Sequence, residues 1–81
     1  MKFIMTEKSA VKQLDIIEQL EKVVGYLKFH ARLRQMSIDS LEAYKYNEVL
    51  AKRYAHNIMI YNMCIMRWNE RMDRLINQLQ E

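Results

Sequence analysis

Apolar residues recur along the second half of the chain in a regular beat. Ile58, Tyr61, Ile65, Trp68, Met72, Leu75 and Leu79 alternate steps of three and four, the a/d pattern of a helix that packs along a seam against another helix. Tyr54 extends the same phase, and no Gly or Pro falls between 41 and 79. Glu48 with Lys52 and Glu70 with Arg74 stand four apart in the favourable Glu-first order and mark a solvated face. The pattern predicts one helix over about 40–80. His56 and Asn57 are the place where it would divide into two, giving three helices in all, but the unbroken seam favours a continuous one.

The first half carries a looser stripe: Ala10, Leu14, Ile17, Leu20, Val24, Leu27 and Ala31, widened by Ile16 and Val23. It predicts a helix over about 7–36, with Thr6 as N-cap, Glu7 on the positive end of the dipole, and Glu18 and Lys22 as a solvated pair. The tip at residues 1–5 is apolar and could cover an exposed seam. Gly25 interrupts the stripe at a cost of about 1 kcal/mol relative to Ala; close approach of a neighbouring helix is the favoured reason, a kink the alternative. Beyond it a second stripe of Tyr26, Phe29, Leu33 and Met36 appears, and at 100° per residue the first and second stripes differ by roughly 130° if the helix is continued unbroken. A turn at 37–40 resolves that conflict by letting both stripes face inward. Asp39 with Glu42, or Ser37, supplies the cap, and Arg32 and Arg34 then fall in the last turns of the first helix.

The expected architecture is all-α: a long antiparallel hairpin forming a single helical domain over 1–81. At 1.5 Å per residue the second helix would reach about 60 Å and the first about 45 Å, leaving an overhang. The second helix is also apolar nearly all round between Ala55 and Met66, and a hairpin covers only one side of each helix. Both features predict self-association into a four-helix bundle or larger assembly, capture of another protein, or both. The expected interface is Met59, Ile60, Tyr61, Met63, Met66 and Trp68. Thioether side chains fill an oligomer core or adapt to a partner equally well.

Composition sharpens this only in places. At 81 residues a single core is marginal and often supplemented, and Cys64 is the sole cysteine, so no disulfide can do that within the chain. A lone thiol beside a seam reads as a small buried hydrophobe in a reducing compartment. The longest uncharged run, from Tyr54 to Met66, has 13 residues, short of the roughly 18 needed to span a bilayer. Charges of both signs along both helices disfavour lying flat on one. A cytoplasmic location is expected. Seven Met and five Tyr in so short a chain would suit a virus or mobile element, and hence a host cytoplasm.

Candidate chemistry is sparse. His30, His56 and Cys64 are the only soft ligands and lack metal-site spacing, no cofactor is implied, and one Gly cannot build a phosphate loop. The carboxylates have basic neighbours at helical spacing, and no acid, base and nucleophile converge. An enzyme is not expected; stoichiometric binding, as by an inhibitor, adaptor or assembly factor, is. The net charge of +3 permits an anionic partner without demanding one. The alternative is therefore a site for RNA, DNA or an anionic nucleotide near the hairpin loop. It would be built from Lys28, Arg32, Arg34, Tyr44, Lys45, Lys52 and Arg53, where aromatic faces alternate with cations. Its competing explanation is a solvated face with Glu42 and Glu48 nearby.

Overall fold

The computed structural model describes residues 7–80. Two helices, α1 (Glu7–Ala43) and α2 (Glu48–Gln80), lie antiparallel and pack along their length. Contacts at successive levels define the register: Arg34 with Asn62, Tyr26 with Trp68, and Gln19 with Arg71. The expected apolar tip at 1–5 and the Thr6 cap lie outside the described residues.

The turn is not at 37–40. α1 runs through that segment, and the chain reverses at 44–47. Ser37, expected as a cap, is buried on the seam, and Asp39 accepts a hydrogen bond from Gln35 Nε2 at 2.9 Å along the helix. The cap is Asn47. Its side-chain oxygen accepts from the Leu50 amide at 3.2 Å while its carbonyl accepts from the Ala51 amide at 2.8 Å, the two functions of an N-cap residue. Glu48 follows at the positive end of the dipole. The reversal uses no Gly, no Pro and no positive φ, so it leaves little trace in composition. Stacking of Tyr44 on Tyr54, with centroids 6.0 Å apart, closes the hairpin end.

Moving the turn removes the overhang. The helices have 37 and 33 residues, so at 1.5 Å per residue they match to within about 6 Å. α2 passes His56 and Asn57 without a break.

The seam of α2 is the one its sequence predicts, with Leu75 fully buried and Trp68, Met72 and Leu79 packed against the core. The seam of α1 is rotated from its predicted stripe. Its core residues are Ile16 and Val23, backed by Leu20 and Leu27. Continuing their three-and-four beat gives Gln13, His30, Arg34, Ser37 and Leu41, all buried or half-buried. Four of these five are polar. Leu14, Ile17 and Val24, expected inside, are exposed, as are Tyr26, Phe29 and Met36 of the second stripe. Gly25 faces away from α2, and a Cβ built on it meets nothing within 4 Å, so close approach of a neighbouring helix does not explain it. Of the three expected helical ion pairs, Glu48 with Lys52 forms at 3.2 Å; the other two do not form among the described residues.

The result is a thin rod of 61 × 16 × 15 Å. Its radius of gyration is 18.7 Å, where a compact domain of this length has about 12 Å. Only Ile16, Val23 and Leu75 are fully buried apolar residues among those described.

Candidate functional site

Two antiparallel helices joined along an a/d seam leave two long flanks, one on each side of the plane that contains both axes. Counting from the observed seam sorts the exposed residues between them. One flank carries apolar residues on α1 at every seventh position: Ala10, Ile17, Val24, Ala31 and Ile38. Three of these are large, and they stay 42%, 38% and 40% exposed. Across the seam α2 adds Ala55, Met59, Met66 and Ile76 to the same side. The charges there are of both signs, with Glu21 and Asp73 near the open end of the hairpin and Lys28 further towards the turn.

The opposite flank is a groove of about 490 Å³ lined by His30, Cys64, Arg67, Trp68, Arg71 and Arg74. It is built chiefly by one side of α2, where Arg67, Arg71 and Arg74 follow at i, i+4 and i+7. At 1.5 Å per residue they span about 10 Å along the axis. Arg71 is half-buried and donates to Gln19 Oε1 at 3.0 Å. Gln19 is held in turn by its own Nε2 donating to Asp15 at 3.0 Å. A guanidinium has five N–H donors, so most of those on Arg71 remain available. Arg67 and Arg74 make no ion pair or side-chain hydrogen bond among the described residues.

The aromatic rings that line the groove are Trp68 and His30, and Tyr26 and Phe29 lie against these two, beside the lining. Tyr26 stacks on Trp68 with centroids 4.6 Å apart and planes at 25°, and Phe29 meets the His30 ring edge-on at 5.4 Å. Tyr26 and Phe29 are about half exposed, so each keeps ring surface towards solvent. His30 Nδ1 lies 2.8 Å from the Tyr26 carbonyl. A carbonyl only accepts, so that nitrogen carries the proton and Nε2 is left free for other contacts. Cys64 is a half-buried free thiol on the groove wall.

The residues expected to form an interface are not one surface. Met59, Met63 and Met66 are exposed on α2, Met59 and Met66 seven residues apart on the apolar flank and Met63 further outward. Ile60 is exposed on the groove flank instead. Tyr61 and Trp68 are half-buried on the seam, against His30 and Tyr26. The expected loop-end cluster is also dispersed. Lys45 is taken by Glu42 at 2.9 Å and Lys52 by Glu48. Arg34 donates to Asn62 at 3.1 Å from within the seam, and Tyr44 is stacked on Tyr54. Lys28 and Arg32 are exposed one turn apart on α1, on the side away from the groove, and Arg53 alone shares the groove flank.

The arginine triplet was legible as 67, 71, 74, but with Glu70 and Asp73 interleaved it reads as a solvated salt-bridged face. What assembles the groove is the position of α1, which the sequence did not yield. Among the described residues no three His, Cys, Asp or Glu side chains gather as a metal site, and no helix is long and apolar enough to cross a membrane. No protein-family model, curated protein or solved structure matches this chain.

Proposed function

We propose that this is a non-enzymatic, self-associating helical hairpin that acts by stoichiometric binding, as an inhibitor, adaptor or assembly factor does, with a second copy covering its apolar flank. The observation that carries the reading is the seven-residue repeat of half-exposed apolar residues on α1, aligned with Met59, Met66 and Ile76 of α2. Residues seven apart on a helix share one side, so the repeat makes a continuous apolar edge that a neighbouring helix can pack on, and two hairpins joined along it would make a four-helix bundle.

Three features support a second copy as the occupant. The accessible surface is 6778 Å², against about 5200 Å² for a compact monomer of this mass. The side of the rod measures 61 by 16 Å, so covering most of it reaches the ~800 Å² per partner of a stable interface. The flank also complements itself in charge: a two-fold axis near Val24 sets Glu21 and Asp73 of one copy against Lys28 of the other. In this arrangement Met63 faces outward on α2 and stays free for a further protein.

The test is mass in solution, by sedimentation or light scattering. The parent chain should run at twice its 9.9 kDa. Val24→Glu with Ile38→Glu should return it to one copy, because two buried carboxylates without partners cost several kcal/mol. Met63→Asp should leave the mass unchanged. A monomeric parent chain would refute the proposal.

A further inference from the structure

We propose that the groove on the opposite flank is a binding site for single-stranded nucleic acid, in which Arg67, Arg71 and Arg74 hold consecutive phosphates and the Tyr26 and Phe29 rings stack bases. The inference stands on observations other than those for self-association, and the two flanks face away from each other, so a dimer leaves the groove open.

Three arginines share one side of one helix, no carboxylate lines the groove, and two of the three guanidiniums have no partner among the described residues. Like charges placed side by side repel, and a helix that keeps them together gains from an anion that bridges them. Counting from the seam adds Lys22 of α1 and Arg53 of α2 to this flank. Its one described acid, Asp15, is engaged by Gln19.

Length and shape narrow the anion. An array of about 10 Å holds two to three phosphates at 3.4 Å or more of strand each, more than a lone phosphate or carboxylate would occupy. Beside the array lie aromatic faces, and cations interleaved with exposed rings are the combination that a single strand uses: phosphates on the guanidiniums, base faces on the rings. A duplex keeps its base faces covered and could use only half of the site. An acidic peptide could use the arginines but has nothing to stack. Arg71, fixed by Gln19 and half-buried, sets the phosphate register, while Arg67 and Arg74 are free to close on the strand from either side.

Trp68 is the only tryptophan in the chain and lies in the groove under Tyr26, so the protein carries its own reporter. The experiment titrates full-length protein with a fluorescein-labelled 15-nucleotide oligo-uridine or oligo-thymidine, reading anisotropy and Trp68 emission together. Binding should shift Trp68 emission and weaken about twenty-fold between 50 and 200 mM salt, as expected for three neutralised phosphates on a single strand. Arg67→Glu with Arg74→Glu should abolish it without changing helicity by circular dichroism. Tyr26→Leu, which keeps the cover on Trp68 but removes the π face, should weaken it by five-fold or more at unchanged salt slope.

Four outcomes would overturn the proposal. They are no binding at 50 mM salt, binding indifferent to the arginine pair, equal competition by a duplex or by poly-glutamate, and loss caused instead by Lys45→Glu with Lys52→Glu. The last would move the site to the loop end. Failure here with a dimeric parent chain would leave the self-association reading standing.

Discussion

The two flanks of this hairpin are built from the same two helices and differ in nearly everything else. On one, apolar side chains recur every seven residues and the charges are mixed in sign. On the other, arginines crowd beside aromatic rings with little to offset them. The first flank lowers its free energy by losing water, and its mixed charges are what allow a like surface to approach without repulsion. The second would be penalised by meeting itself, because it would set arginine against arginine. One flank thus suits a second copy of the chain and the other suits an anion. A rod only two helices thick can keep such surfaces apart because no third element covers either one.

The largest expected effect is the one that erases the comparison. Leu75 is the only side chain with no exposed surface among those described, and it joins Ile16 and Val23 in the core between the flanks. Leu75→Ala should cost about 2–5 kcal/mol, a large share of the stability of so small a core. Both flanks should fail together, with thermal melting shifted down and mass and nucleic-acid binding lost in parallel. If Leu75→Ala leaves the melting curve in place, the packing between α1 and α2 is not what holds this chain.

Next in size are the changes that separate the flanks. Val24→Glu with Ile38→Glu should give a monomer that still binds oligonucleotide through the groove. Arg67→Glu with Arg74→Glu should give a dimer that does not. Each pair is the control for the other. If either pair abolished both properties, the flanks would not be independent and the assignment of separate partners would be wrong.

The seam of α2 could be read from sequence because its three-and-four beat keeps one phase without interruption from Tyr54 to Leu79. α1 could not, for a physical reason that the flanks make plain. Its apolar residues are divided between the seam (Ile16, Leu20, Val23, Leu27) and the exposed flank (Ile17, Val24, Ile38), while Gln13, His30, Arg34 and Ser37 occupy seam positions. The strongest apolar stripe is then a blend of the two and points to neither. The misplaced turn has the same root, since a turn at 37–40 reconciles stripes that never share a face. Asn47 followed by Glu48 was the available signal, an N-cap with an acid behind it. It competed poorly against two apparent caps, Ser37 and Asp39, eight to ten residues earlier. Of the site, the arginine spacing was visible, and the aromatic rings beside it depended on the rotation of α1.

Asn47→Ala should show how much the true cap contributes. Losing the bond to the Leu50 amide costs about 1 kcal/mol in comparable helices, and the effect should appear as a lower melting temperature with both flank functions intact at ambient temperature. The loop end lies away from the groove, so oligonucleotide affinity should change less than two-fold. A larger change would tie the groove to the turn and revive the loop-end residues as part of the site.

The smallest expected effect has the opposite sign. Gly25 lies in the interior of α1, exposed, at ordinary helical φ, with nothing within 4 Å of a Cβ added there. Gly25→Ala should therefore stabilise the isolated hairpin by about 0.4–1 kcal/mol, through a less flexible unfolded chain and better helix propensity. Counting from the seam places Gly25 between the two flanks, on the side of α1 farthest from α2, so it belongs to neither proposed interface. Thermal melting measured alone and with oligonucleotide reads both situations. A higher melting temperature with unchanged mass and affinity keeps the partition between the flanks as drawn. A gain in the hairpin's own stability combined with loss of dimer mass would mean that the second copy brings backbone against Gly25, and that the packing seam runs over the outer face of α1 rather than along the flank.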